Sequence, residues 1–168
     1  TGLLKDYNLI YICAESFSTA AIDKDVTPTL YRLAHGGVIL NNYYNSFPNT
    51  TTNGEYAFLT GLWPDVSRSA MLGKLNGSMP SSSNINMEAS LGNMINNARS
   101  TKSLGYHNFL GYYYGREDSL PNMGFKCKFM NDGMTFTTSW PASDLEMMQQ
   151  SVPDYVNSKE PFHVYYMT

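Results

Sequence analysis

The spacing of apolar residues along the chain changes between the period of a strand and that of a helix, which is typical of a sheet flanked by helices. Residues 8–14 form a nearly continuous apolar run, which predicts a strand covered on both faces. Further strands are predicted over residues 38–44 and 161–167. The predicted fold class is therefore α/β with a mainly parallel sheet, and it is incomplete, because the last strand would leave an open edge.

The first helix is predicted from the residues at its two ends. Thr27 and Pro28 are typical of a helix cap and a first helical residue, and the glycine pair at 36–37 stops the helix. Three apolar residues of this helix are expected to face the core: Leu30, Leu33 and Ala34.

Further helices are predicted later in the chain. One covers residues 55–62 and ends before a Trp-Pro pair, and another covers residues 87–98. Ser143 and Glu146 form a capping-box pattern, which predicts a helix that continues to about residue 157.

The chain shows no internal repeat and no linker, so residues 1–168 are predicted to form one domain. A hydrophobic content of 42% is enough for one core in a chain of this length. Residues 65–86 are rich in Ser, Gly, Asn and Met, and we expect them to form a long surface excursion at the rim of a site.

Charge argues against nucleic acid as a partner. The formal net charge is -3, and no run of Lys or Arg could follow a nucleic-acid backbone. Charged residues make up only 15% of the chain, which suits an exported protein. The sequence has neither a signal-peptide pattern nor an apolar run of membrane-spanning length. The sequence leaves open whether its two cysteines, Cys13 and Cys127, form a disulfide.

Candidate chemistry concentrates at the ends of the predicted elements. Glu15 follows the first strand, and ligands of open parallel sheets bind beyond the carboxyl ends of strands. Its carboxylate suits a hard divalent cation, and a solvated loop acid or a helix cap is an equally open interpretation. The threonines at 50–52 place hydroxyls at a helix start, where a bound phosphate is favoured. A plain N-cap is the alternative to a nucleophile there.

Several motifs in the same order resemble the lipoteichoic acid synthase group of the alkaline phosphatase and sulfatase superfamily. Residues 10–17, with Glu15 among them, are similar to the group's first-strand motif, whose glutamate binds a metal. Residues 26–37 resemble its Thr-Pro helix, and residues 41–44 resemble its next strand. Residues 161–168 resemble the strand that precedes a Ser-x-His loop in that group.

The group's nucleophile segment, T-S-D-x-E-[FY], is matched by TTNGEY at residues 51–56. The resemblance implies Thr51 as the nucleophile and, together with Glu15, as a metal ligand. Thr52 and Asn53 depart from the Ser and Asp of the group, and neither departure removes the reacting hydroxyl.

A later block, residues 106–118, resembles the stretch that lines the headgroup pocket in the group. It implies three substrate-binding residues in this chain: His107, Tyr114 and Arg116. Two other histidines are interpreted as structural, since His35 lies at a helix end and His163 lies inside a strand.

The resemblance implies a metal-dependent phosphoglycerol transferase that acts on a phospholipid headgroup through a Thr nucleophile. The expected cofactor is a divalent metal, Mn²⁺ or Mg²⁺. The expected partners are a phosphatidylglycerol-like lipid and a glycerol-phosphate or glycan acceptor. Residues 1–168 would be the soluble N-terminal half of a catalytic domain, in a membrane-anchored protein at the extracellular face of the cell membrane. The remaining metal ligands would lie in the missing C-terminal half, so this fragment alone is expected to be inactive.

Two other functions stay open at this point. One is a related phosphodiesterase, phosphatase or phosphoethanolamine transferase, of which the sparse cysteines disfavour the last. The other is a non-catalytic binding module with the same fold. Sulfatase chemistry itself is disfavoured, because it needs a formylglycine in a C/S-x-P-x-R motif and residues 51–55 do not match one.

Overall fold

The computed structural model describes residues 2–44, 51–66, 77–99, 101–137 and 140–168. Within these ranges the chain forms one parallel sheet in the order β1-β5-β2-β3-β4. The strands in chain order are β1 Leu9–Cys13, β2 Ser103–His107, β3 Phe125–Met130, β4 Gly133–Met134 and β5 His163–Met167. The predicted fold class, a parallel sheet flanked by helices, is confirmed.

Among the described residues, four α-helices lie between β1 and β2, one lies between β2 and β3, and one lies between β4 and β5. In chain order they are α1 Pro28–Gly36, α2 Thr51–Thr60, α3 Ser78–Ser81, α4 Leu91–Ala98, α5 Arg116–Asn122 and α6 Asp144–Ser151. The predicted start of α1 is confirmed, with Thr27 as cap and Pro28 as first residue. Ser143 caps α6 by accepting the backbone N–H of Glu146, whose carboxylate accepts from Thr137 instead of closing the capping box.

The strand β5 is an interior strand, which pairs with β1 on one side and β2 on the other. All of its residues are buried, so the predicted open edge at this strand is wrong. The two edges of the described sheet are β1 and β4, and β1 is the edge next to β5. Its residues Ile10 and Ile12 are 49% and 48% exposed, which corrects the expectation that both faces of this strand are covered.

The side chains of β5 point alternately to the two faces of the sheet, so successive residues pack into two different cores. Tyr165 and Met167 pack in one core with residues from α2, α3, α5 and β3: Tyr56, Leu59, Met79, Leu120, Phe125 and Phe129. Val164 and Tyr166 pack in the second core, which includes Met147 of α6. The first core therefore packs α2 against the interior strand β5.

The described chain divides into two compact units, one of Thr1–Cys13 and Phe47–Thr168 and the other of Ala14–Ser46. In the second unit, α1 contains no buried residue, and Leu33 is 63% exposed, so its predicted core-facing stripe is wrong. Residues 38–44 do not form the predicted strand. Val38 is 89% exposed there, and apolar β-formers alone do not make a strand without a ladder partner.

Several elements between residues 77 and 130 differ from the sequence-based expectations. The part of the predicted surface excursion that the structure describes contains α3, where Met79 is fully buried, and residues 67–76 lie outside the described residues. The strands β2 and β3 and the helix α5 were not predicted, the last because Pro121 lies inside it. Neither Cys13 nor Cys127 forms a disulfide with the described residues. No helix among the described residues is long and apolar enough to span a membrane.

Candidate active site

Thr51 is the first residue of α2 and is half-buried. The first backbone N–H groups of a helix have no partner within the helix, and the helix dipole adds positive potential at that end. The next two residues, Thr52 and Asn53, are 1% and 5% exposed, so the start of α2 is held inside the fold. The predicted nucleophile therefore lies at the end of a helix that favours an anion. Thr50 lies outside the described residues.

Glu55 lies one helical turn after Thr51, on the same side of α2. It is 1% exposed and is bound by two groups from other elements. Arg116 of α5 approaches it with Nε at 3.0 Å and Nη2 at 3.0 Å from Oε2, and Tyr165 of β5 donates to Oε1 at 2.7 Å. The buried carboxylate is therefore paired with a cation and further hydrogen-bonded, as a buried charge requires.

Arg116 is the largest fully buried side chain in the described structure, with 1% of its surface exposed. Burial is the largest influence on the pKa of this guanidinium and lowers it, but the charge and hydrogen bonding of Glu55 together with Tyr165 and Tyr114 outweigh burial, and the net shift of the pKa is upward. On the other side of the group, Nη1 lies 3.2 Å from Nε2 of His107. Arg116 is thus a permanent cation that joins α2, α5 and β2.

His107 ends β2 and is 7% exposed. Its Nδ1 lies 3.1 Å from the carbonyl oxygen of Met167, which can only accept, so Nδ1 carries the proton. Its Nε2 is then the acceptor for the N–H of Arg116. Burial, followed by the charge of Arg116, lowers the pKa of His107 to about 4. This imidazole is therefore neutral at pH 7 and has one fixed tautomer.

Tyr114 has a left-handed backbone, with φ 59° and ψ 19°, and the following Gly115 has φ 67°. A bulky residue in this region is strained, and such strain is found where the surrounding structure imposes it, often at functional sites. The ring of Tyr114 is half-buried and lies over Arg116, with the guanidinium carbon 5.4 Å from the ring centroid.

The structure thus brings the three predicted substrate-binding residues into one network around Arg116. Their role in binding a substrate stays a prediction. Glu55 was not predicted as a site residue, although it binds Arg116 at the centre of the network. A signal was present, because Glu55 is followed by Tyr-Ala-Phe-Leu, and an acid that is buried in an apolar segment needs a cation as its partner.

Glu15 lies two residues beyond β1, in the unit of residues 14–46, and its side chain is exposed. The next residue, Ser16, has φ 55° in the turn. The carboxylate of Glu15 and the hydroxyl of Thr51 are hard oxygen donors, which fit Mg²⁺ or Mn²⁺. Within the part of the chain that the structure describes, no three His, Cys, Asp or Glu residues form a complete metal-binding group. Both residues therefore stay predicted ligands of an incomplete set.

A curated ectonucleotide pyrophosphatase/phosphodiesterase from Caenorhabditis elegans is 32% identical over 57 residues, which are 34% of this chain and 7% of that protein. The crystal structure of the lipoteichoic acid synthase LtaP from Listeria monocytogenes matches with a TM-score of 0.71 and 18% identity, over 99% of this chain and 41% of that chain. The chain therefore spans less than half the length of these relatives.

The structural match confirms an alkaline phosphatase-like fold, present here as a partial domain. At 18% identity it shows the fold alone. The family model described as Sulfatase matches residues 7–168, and the members of this superfamily are hydrolase- and transferase-type enzymes that generally depend on divalent metals. Because that model covers nearly every residue, the chain belongs to the sulfatase family.

Proposed function

We propose that this chain is the N-terminal part of a metal-dependent phosphoglycerol transferase domain in which Thr51 is the nucleophile. The observation that carries the proposal is the position of Thr51 as the first residue of α2, a helix fixed one turn later by the buried carboxylate of Glu55. The fold shared with the lipoteichoic acid synthase LtaP supports this choice among the activities of the family.

The reaction is a double displacement at phosphorus. The hydroxyl oxygen of Thr51 attacks the phosphodiester of a phosphatidylglycerol-like lipid, and the bond from phosphorus to the diacylglycerol oxygen breaks. The proton lost by Thr51 balances the one gained by the leaving diacylglycerol. An acceptor hydroxyl, on glycerol phosphate or a glycan, then attacks the glycerophospho-threonine and restores Thr51. The first N–H groups of α2 favour the negative phosphate throughout.

Glu15 and Thr51 are proposed to hold a divalent Mn²⁺ or Mg²⁺ ion, together with ligands from a part of the domain outside this chain. When bound, such an ion lowers the pKa of the hydroxyl it contacts and offsets negative charge on the phosphate. An extracellular location at the outer face of the cell membrane, where both lipid and acceptor are present, follows from the same proposal.

Recognition of the headgroup is assigned to His107, Tyr114 and Arg116. The guanidinium of Arg116 keeps a charge that does not titrate, but it is buried and paired with Glu55, so it acts on the headgroup through His107 and Tyr114. Tyr114 offers a half-buried ring face, suited to the carbon atoms of glycerol. His107 stays neutral, so it adds polar contacts and no second charge.

The test uses the full-length protein that carries this domain and a fluorescent phosphatidylglycerol in mixed micelles with Mn²⁺. Thr51→Ala is expected to reduce release of diacylglycerol by about 10³-fold or more, as loss of a nucleophile does in other enzymes. Thr51→Ser keeps the hydroxyl and should retain measurable turnover. Mass spectrometry should find glycerophosphate on the peptide containing Thr51 in the wild type. Undiminished release by Thr51→Ala with intact circular dichroism would overturn the assignment.

A phosphodiesterase is the second candidate, favoured by the local 32% identity to a pyrophosphatase/phosphodiesterase. The two functions differ in the molecule that attacks the glycerophospho-threonine intermediate, which is water in a phosphodiesterase and an acceptor alcohol in a transferase. A phosphodiesterase uses water and releases free glycerol phosphate whether or not an acceptor alcohol is present. A transferase forms little glycerol phosphate and extends the acceptor, so chromatography of the products with and without acceptor separates them.

A further inference from the structure

The carboxylate of Glu55 joins three elements of the fold, α2, α5 and β5. It binds the Nε and Nη2 side of Arg116 on α5 and the phenol of Tyr165 on β5, while the backbone of Glu55 belongs to α2. All three side chains are 1% exposed or less. A charged group buried in this way is costly unless it is paired, so the geometry around it is fixed by the pairing.

The pairing decides which edge of Arg116 remains for other partners. The guanidinium of Arg116 has five N–H donors, and the carboxylate of Glu55 binds those on the edge formed by Nε and Nη2. In this orientation Nη1 lies 3.2 Å from Nε2 of His107, and the ring of Tyr114 covers the face of the group at 5.4 Å. Without the carboxylate, the described contacts that remain involve only Nη1 and the ring face, so Nε and Nη2 would be buried without their acceptor.

The carboxylate also connects this cluster to Thr51, because Thr51 and Glu55 lie one turn apart on α2. A helix is stiff over one turn, so a fixed Glu55 fixes the start of the helix relative to Arg116. Thr52 and Asn53, buried between them, reinforce the same segment.

We infer that Glu55 is a positioning residue, which acts through Arg116 to hold His107 and Tyr114 in register with the nucleophile Thr51. This inference rests on the proposed function for the role of Thr51, and it concerns the processing of any phosphodiester at the site. Glu55 touches no reacting atom in this scheme. Its contribution is the placement of groups that do, and misplacement by about 1 Å is enough to lower a rate by about 100-fold.

The experiment is a double-mutant cycle in the full-length protein, with Glu55→Gln, Arg116→Met and the double variant. The readout is kcat/KM for bis(p-nitrophenyl) phosphate with Mn²⁺, normalised to folded protein by circular dichroism. We expect Glu55→Gln to lower kcat/KM by about 100-fold. If Glu55 acts through Arg116, adding Glu55→Gln to Arg116→Met lowers kcat/KM by less than about twofold more. The double variant also removes the whole ion pair, which is easier to tolerate than one unpaired charge.

Two results would overturn the inference. Multiplicative losses in the double variant would mean that Glu55 acts independently of Arg116. An unchanged kcat/KM per folded molecule in Glu55→Gln would mean that the pair contributes stability alone. Should Glu55→Gln not fold, Glu55→Asp, which keeps the charge and shortens its reach, takes its place in the cycle with the same expectations. Lys128→Met breaks the half-exposed ion pair with Asp154 and serves as the matched control with unchanged kinetics.

The result of the double-mutant cycle can be distinguished from the result of the test of the proposed function. A wild type that cleaves bis(p-nitrophenyl) phosphate but releases no diacylglycerol from phosphatidylglycerol would reject the transferase proposal and leave the cycle fully informative. Conversely, diacylglycerol release that depends on Thr51, with a multiplicative cycle, would support the proposed function and reject the positioning role.

Discussion

The phenol of Tyr165 donates a 2.7 Å hydrogen bond to Oε1 of Glu55, which connects the interior strand β5 to α2 across 110 residues of sequence. Tyr165 is completely buried, and burial together with the nearby carboxylate raises its pKa well above the usual range of tyrosine. The phenol therefore remains protonated and acts as a donor at every pH at which the protein is folded.

Removal of this donor should destabilise the protein. Tyr165→Phe keeps the ring in its core and deletes a hydrogen bond to a charged acceptor, so the free energy of unfolding should fall by about 1.5–3 kcal/mol. Urea denaturation followed by fluorescence measures the difference. Tyr112→Phe, at a site that is 60% exposed, should change it by less than about 0.5 kcal/mol. Equal effects of the two substitutions would argue against the buried hydrogen bond.

The close approach of α4 to the turn after α5 predicts a severe effect of a single methyl group. A Cβ at Gly92 would collide with the carbonyl oxygen of Met123 and lie 2.8 Å from the ring of Phe125. Gly92→Ala should therefore destabilise the fold by about 1–3 kcal/mol or more, because the backbone must shift. A thermal melt measures it against Gly36→Ala, whose added Cβ meets no atom within 4 Å. A Gly92→Ala protein as stable as the control would contradict this packing.

Stability should fall on mild acidification because of His163. Burial, followed by the charge of Arg99, lowers its pKa from the ordinary 6.5 to about 4. Between these two values the unfolded chain binds a proton that the folded chain does not, so stability is lost as the pH falls through this window. Within this window, His163 changes the free energy of unfolding by up to about 1.4 kcal/mol per pH unit.

The measurement is the free energy of unfolding between pH 4 and 7 in the wild type and in His163→Gln. The variant should show a shallower dependence on pH. Val164→Ala, in the adjacent position of β5, should lower stability while leaving the slope unchanged. Parallel curves for the wild type and His163→Gln would refute the assignment of the slope to this residue.

Glu15 is expected to contribute to metal binding in the full-length protein. Glu15→Gln keeps the size of the side chain and removes the charge that a hard cation prefers, so the Kd for Mn²⁺ should rise by about tenfold or more. Electron paramagnetic resonance of free Mn²⁺ during a titration measures it. Glu88→Gln, at another exposed acid, should leave the Kd unchanged. An unaltered Kd in Glu15→Gln would remove Glu15 from the ligand set.

The sequence predicted correctly those parts of the fold that depend on interactions between residues close together in the chain. The cap at Thr27, the cap at Ser143 and the strands at both ends of the described chain were all predicted from neighbouring residues. Residues 38–44 were predicted wrongly, because their apolar composition favours a strand only where a partner exists. The helix α5 was missed because Pro121, which usually disfavours helix, lies in its last turn.

The candidate site, like the fold, was predicted from the sequence only where local motifs carry the information. Motifs predicted Thr51, Glu15 and the trio of His107, Tyr114 and Arg116. The residues around Glu55 carried a signal for a buried acid, but its partner could be recognised only after the fold had brought together positions 61 residues apart. No local pattern encodes the choice between an ion pair of Arg116 with its neighbours Glu117 or Asp118 and one with Glu55. Burial made that choice, because the neighbours point to solvent while Glu55 lies in the core.

The pairing of β1 with β5 has a consequence for how the chain is made. Asn8, just before β1, accepts a hydrogen bond from Phe162, which is 154 residues later. A ribosome adds about 5–20 residues per second, so β1 leaves the tunnel on the order of ten seconds before its partner is synthesised. Until β5 has been made, this apolar strand has no ladder partner, which makes it a natural target for a chaperone.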